Sequence, residues 1–154
     1  MAKREMVVAH VEKLLERMSG LDALIADADG DWRFAYPTTS VTVRILPGDD
    51  PLVFVYAPAA VEVPSSPELY EHLNGINQRL RFARCYWLRE TVFIENQLVG
   101  STIDYEELDT VMDDVGYACE SFGPDIVESF GGRTLAKPTV PEQTTSEERT
   151  GAYL

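Results

Sequence analysis

The sequence predicts an α+β fold in the order α-βββ-α-ββ-α, with about five strands in one antiparallel sheet. Three observations predict it. Residues 32–57 contain three short runs with strand character, joined by connections too short for crossovers. Residues 66–100 open as a capped helix and pass directly into two more β-rich runs. A long apolar stripe of helical period then extends from Leu108 to Phe130.

Residues 5–18 form the first predicted helix. Val7, Val11, Leu14, Leu15 and Met18 recur at helical spacing, while Glu12, Lys13, Glu16 and Arg17 face away. Ser19-Gly20 ends or loosens it, and Leu21, Leu24 and Ile25 continue an apolar surface. Asp27-Ala28-Asp29-Gly30-Asp31 has the alternating aspartates of a calcium loop. However, the sixth position is Trp32 rather than Gly and the twelfth is Thr38 rather than Glu, so the expectation is a turn opening a strand.

The first strand alternates Trp32, Phe34 and Tyr36 with Asp31, Arg33 and Ala35, and Pro37 ends it. The second alternates Val41, Val43 and Ile45 with Thr42 and Arg44. Pro47-Gly48-Asp49-Asp50 turns the chain. Residues 52–57 are almost continuously apolar, which predicts a strand covered on both faces or placed at an oligomer contact.

Ser66 is the expected cap of the second helix, with Pro67 at its first position and Glu68 at its positive end. Leu69, Leu73, Ile76 and Leu80 make one narrow stripe, fit to pack on a sheet or to form a seam with a second copy. Asn74, Gly75 and Asn77 are poor helix formers in mid-helix. Close packing over Gly75, a side-chain hydrogen bond from an asparagine, or a marginal helix would each account for them. Residues 82–88 and 91–95 read as a hairpin, although Arg89-Glu90 is a disfavoured tight turn and predicts a longer or irregular loop.

Asp104 begins the last helix, with Glu106 and Glu107 in its first turn. Gly123-Pro124 predicts a kink or break, and Gly131-Gly132 the end. Residues 1–133 are thus expected as one domain. Residues 134–154, rich in Pro, Thr and Glu, are expected as a flexible tail.

The formal net charge of −13 argues against nucleic acid, whose phosphates are bound by Lys and Arg, and against anionic membranes. It is compatible with basic or apolar protein partners. Cys85 and Cys119 both sit in apolar segments, as buried free thiols of a reducing compartment do. The N-terminus lacks the apolar run of a signal peptide, so the cytoplasm is the expected location.

Motifs for chemistry are absent from the sequence. There is no phosphate-cradling glycine loop, no GxSxG turn and no HExxH pair. His10 and His72 read as structural or solvent-facing residues. Asp109 and Asp113 share a helix face, as magnesium-binding carboxylates would, but no second cluster completes a cage. No catalytic residue, cofactor or metal is therefore assigned, and a metal-dependent enzyme is the weakest reading.

The runs LNGINQRLRFARCYWL, VFIENQL and YEELDTVMDDV, with the Gly-Gly pair, resemble the YbjN-like proteins, relatives of the type III secretion chaperone fold. The positions that carry the resemblance are Leu73, Asn74, Asn77, Leu80, Phe82, Leu98, Glu107, Leu108, Gly131 and Gly132, within residues 21–133. The resemblance implies a twisted sheet flanked by helices, usually dimeric. It also implies binding of extended client segments on apolar patches, and not necessarily any secretion system. The expectation is a non-enzymatic homodimer holding a protein or peptide client. The alternative is a docking protein for one folded partner. Leu69, Leu73, Ile76, Leu80, Phe82, Tyr86 and Leu88 are the expected dimer or client contacts.

Overall fold

The computed structural model describes residues 3–21 and 24–135. Its elements are α1 (Lys3–Ser19), β1 (Trp32–Ala35), β2 (Ser40–Leu46), β3 (Leu52–Ala60), α2 (Pro67–Arg79), β4 (Arg84–Leu88), β5 (Thr91–Val99) and α3 (Tyr105–Phe130). The expected order holds. The sheet runs β1-β2-β3-β5-β4, with every neighbouring pair antiparallel. β5 therefore lies between β3 and β4, and the α2 connection carries the chain over to the far edge.

Period-two alternation decides which face is buried. Trp32, Phe34, Val41, Val43, Ile45, Val53, Val55, Ala57, Val92 and Ile94 all lie on one face. Val7, Val11 and Leu15 of α1, Leu69, Leu73 and Ile76 of α2, and Leu108, Met112, Val115 and Ile126 of α3 complete the same core. Burying each of the Val, Leu, Ile, Phe and Met side chains stabilises the fold by about 1.5–3 kcal/mol. The helices thus form one layer on one side of the sheet.

The helix ends follow from their caps. Ser66 accepts the Leu69 N–H at 3.0 Å, with Pro67 at the first helical position. Asp104 and Glu107 form a capping box, with bonds of 2.8 and 3.1 Å. α3 continues through Pro124, where the sequence predicted a kink or break. Packing explains it: Cys119 and Ile126, on either side, are held in the core, and Gly123 lies against the Ala59 carbonyl. At the end of α3, Gly131 and Gly132 both have positive φ. A Cβ at Gly132 would stand 2.3 Å from the Val61 carbonyl oxygen, so only Gly lets Arg133 exchange backbone hydrogen bonds with Val61 at 2.8 and 2.9 Å.

Two other expectations change. The β4–β5 connection is tight, because Leu88 pairs directly with Thr91 and leaves only Arg89 and Glu90 between them. Both have positive φ, +50° and +62°, as a two-residue hairpin turn requires. The Glu90 carbonyl is anchored by the Val63 N–H at 2.8 Å. Gly75, meanwhile, has open space where a Cβ would sit, so no close packing accounts for it. From residue 136 onward the expected tail lies outside the described residues; Leu135 donates its N–H to the Thr38 carbonyl at 3.1 Å.

Candidate functional site

The sheet face opposite the helices is not the polar surface that an antiparallel sheet usually turns to water. On β3, Leu52, Phe54, Tyr56 and Pro58 alternate with the buried Val53, Val55 and Ala57, and remain half-buried. The 52–57 run is therefore covered on one face only. Cross-strand register puts Phe93 beside Pro58 on one side and Tyr86 on the other. Phe54 stacks on Tyr56 at 4.7 Å, Tyr56 meets Phe93 at 6.3 Å, and Phe93 meets Tyr86 at 5.8 Å. The result is an aromatic strip across β3, β5 and β4.

Two arginine–carboxylate pairs border the strip, and Glu95 of one of them is the cross-strand partner of Tyr56. Arg44 grips Asp31 through two bonds, 2.8 and 2.6 Å, and lies 5.7 Å from the Tyr56 ring. Arg84 grips Glu95 and lies 5.6 Å from the Tyr86 ring, whose hydroxyl donates to Glu95 at 3.3 Å. Both carboxylates are 1% exposed. Burial and the nearby Glu95 raise the Tyr86 hydroxyl above its ordinary pKa. The strip is thus aromatic surface with its bordering carboxylates, Asp31 and Glu95, each paired to an arginine.

At the sheet edge, α2 closes part of β4. Hairpin geometry directs the backbone groups of Cys85 and Trp87 away from β5. The Asn77 side chain takes both groups of Cys85: its amide nitrogen donates to the carbonyl at 3.0 Å, and its oxygen accepts the N–H at 2.8 Å. Asn77 imitates the peptide of an adjoining strand, a side-chain bond that repays its poor helix propensity. Asn74 is exposed, and no contact explains it.

The seven residues expected to make contacts do not share one surface. Leu69, Leu73 and Ile76 are 0%, 4% and 1% exposed, buried in the core of the same chain. Leu80 is half-buried. Phe82 (62% exposed) and Leu88 (50%) project outward, and Tyr86 belongs to the strip. Sequence reasoning did not name Phe54, Tyr56 and Phe93 among the contact residues, although it allowed residues 52–57 an oligomer contact. The signal was the period-two phase of their neighbours, hidden by an apolar run without alternation.

On the helix side of the sheet, Phe82 walls a groove of about 270 Å³ with Leu98, Glu106, Glu107, Thr110 and Val111. On the other flank of α3, burial and the Asp109 charge push Asp113 up to about 6, while the Tyr36 hydroxyl donates to it at 3.5 Å. Burial raises Asp109 and Asp114 too.

Other polar residues have structural partners. Asp27, Asp29 and Asp31 converge within 4.8 Å. Asp27 accepts the N–H groups of Asp29 and Asp31 at 2.9 and 3.1 Å and pairs with Arg33 at 3.0 Å, while Asp31 is held by Arg44. These are the bonds of a turn. His10 bonds the Ile103 carbonyl at 2.8 Å, and His72 packs on Phe130 at 5.2 Å. Cys85 and Cys119 are free and buried, and burial raises both thiols, Cys85 to about 11. Among the described residues, no helix is long and apolar enough to cross a membrane.

Comparison with known proteins places this geometry. The family described as "T3SS (YopN, CesT) and YbjN peptide-binding chaperone 1" matches residues 5–138. No curated protein sequence matches significantly. Among solved structures, a chain of the ExsC–ExsE complex superposes with a TM-score of 0.62 at 15% identity, covering 76% of this chain and 93% of that one. The Yersinia pestis type III secretion chaperone SycH, in complex with a fragment of YscM2, gives 0.54 at 15%, covering 71% and 97%. A chain of the Pseudomonas aeruginosa ExoU–SpcU heterodimer gives 0.56 at 16%, covering 74% and 95%. At such identities the likeness establishes the fold.

Proposed function

This chain belongs to the family of T3SS and YbjN peptide-binding chaperones, and on that premise we propose that it is a non-catalytic homodimer that holds an extended protein segment. The observation that carries this reading is the open aromatic strip. Phe54, Tyr56, Phe93 and Tyr86 form contiguous apolar surface that no described element covers. Such a patch is costly to leave in water and marks a protein contact. The three similar structures support the reading, because each is of a complex between two proteins, and one of them is described as a type III secretion chaperone holding a partner fragment.

A second copy fits the Tyr86–Phe93 part of the strip, which adjoins the outward-facing Leu88. Two-fold pairing sets the same surface against itself, and an aromatic strip whose bordering carboxylates are paired to arginines tolerates that. Client contact then falls to the neighbouring surface around Phe82. The excess of acids supports a protein rather than a nucleic-acid or anionic-membrane partner. Two free buried thiols fit the cytoplasm.

Light scattering after size exclusion tests the dimer. The expected mass is twice 17.2 kDa for the wild type. The expected species is a monomer, with helical and strand signals kept, for Tyr86→Asp combined with Phe93→Asp. A monomeric wild type at micromolar concentration overturns the dimer. A folded but still dimeric variant moves the interface to the outer face of α2.

A further inference from the structure

We propose that the client segment carries a large apolar side chain flanked by lysine or arginine, and that this side chain seats in the groove between Phe82, Leu98 and Val111. The inference rests on the segment-holding role above and names the chemistry of the segment. Three observations converge on the groove.

The first is Phe82 itself. It stands in the α2–β4 connection, 62% exposed, while its neighbour Ala83 is buried and anchors the loop. Phe82 contributes little to the core and forms a wall against Leu98 and Val111. The second is size. About 270 Å³ in an open groove matches one large side chain and falls short of the usual cleft for a small molecule. Single apolar anchors in pockets of this kind dominate protein recognition.

The third is charge. Two acids, Glu106 and Glu107, line the groove, while Asp109 and Asp113 lie on the other flank of α3. Glu106, Glu107, Thr110 and Val111 form the α3 side of the groove. Glu107 is engaged in the capping box, whereas Glu106 makes no ion pair among the described residues. No Lys or Arg lines the groove; Arg84 is paired with Glu95, and Arg17 stacks on the Tyr105 ring at 4.1 Å. The rim is therefore negative with one carboxylate in reserve. Basic residues beside the anchor gain from this field, while acidic ones are repelled.

Fluorescence anisotropy with three labelled peptides tests the assignment. All share a central Leu-Phe, flanked by lysines, serines or glutamates. The lysine peptide is expected to bind about ten-fold tighter than the serine peptide, and the glutamate peptide not measurably. Phe82→Ser is expected to weaken the lysine and serine peptides alike, by about ten-fold. Glu106→Lys is expected to weaken only the lysine peptide. Both side chains are exposed, so neither change removes core packing. Equal binding of the lysine and serine peptides overturns the basic flank. Binding that ignores Phe82→Ser overturns the groove and leaves the segment-holding role intact. If none of the peptides binds, and an unfolded polypeptide does not either, the role fails together with the inference.

Discussion

Asn77 closes the outer edge of β4 by bonding both backbone groups of Cys85, at 3.0 and 2.8 Å. A helix side chain thereby ends the sheet that the helix packs against. Asn77→Ala leaves the Cys85 N–H and carbonyl without their partner and is expected to cost about 1–3 kcal/mol. Thermal melts check the cost, and faster amide exchange at Cys85 checks its origin. Asn77→Asp keeps the acceptor but sets a carboxylate against the Cys85 carbonyl, and should be worse than Ala.

Glu95 is 1% exposed and is paired with Arg84. Arg84→Ala leaves a buried carboxylate uncompensated, with an expected cost of about 3 kcal/mol. Adding Glu95→Leu removes that charge and should restore most of the stability. Chemical denaturation of the two single variants and the double variant gives the coupling. Additive losses would contradict the pairing.

Asp113 makes stability depend on pH with a definite sign. Its carboxyl rises to about 6 in the folded chain, from an ordinary 3.8, through burial and the Asp109 charge. The folded state therefore holds the proton more tightly than the unfolded chain. The stability it contributes is full below about 4 and is lost as pH rises through about 6. Asp113→Asn should be more stable than the wild type at pH 7, by about 1–2 kcal/mol after allowing for partial exposure. The two should converge near pH 4, and melts across that range measure it. A constant difference would contradict the assignment.

Two glycines in helices should respond with opposite sign. A Cβ at Gly75 meets nothing within 4 Å, so Gly75→Ala is expected to stabilise α2 by about 0.5–1 kcal/mol. A Cβ at Gly123 would lie 2.4 Å from the Ala59 carbonyl oxygen. Gly123→Ala is expected to cost about 1–3 kcal/mol despite its better helix propensity. The same sign for both in thermal melts would contradict the α3–β3 packing.

The element order was legible in the sequence because it rests on periodicity and caps, which are local. Ser66, Asp104 and the alternation of Val41, Val43 and Ile45 each carry their own signal. The tight Arg89-Glu90 turn was not legible, since both residues adopt positive φ that their identity disfavours. At Pro124 the alternative of a break does not hold, because tertiary packing carries the helix through a local helix breaker. The α2 stripe was visible, but a stripe does not say what covers it. Leu69, Leu73 and Ile76 are covered within the chain, while Phe54, Tyr56 and Phe93 reach the open face through a run without alternation. Asn77 was recognisable as an anomaly, and its partner Cys85 lies across an element boundary that only the fold brings together.

The measurement that tests the central claim most directly is the binding of one polypeptide in its unfolded and folded forms. A labelled protein kept unfolded by reduction and thiol blocking, and the same protein in its native state, are titrated with the chain by anisotropy. The account predicts micromolar binding to the unfolded form, weak or no binding to the native form, and a loss of about ten-fold on Phe82→Ser. Equal affinity for both forms, or binding only to the native one, would contradict it.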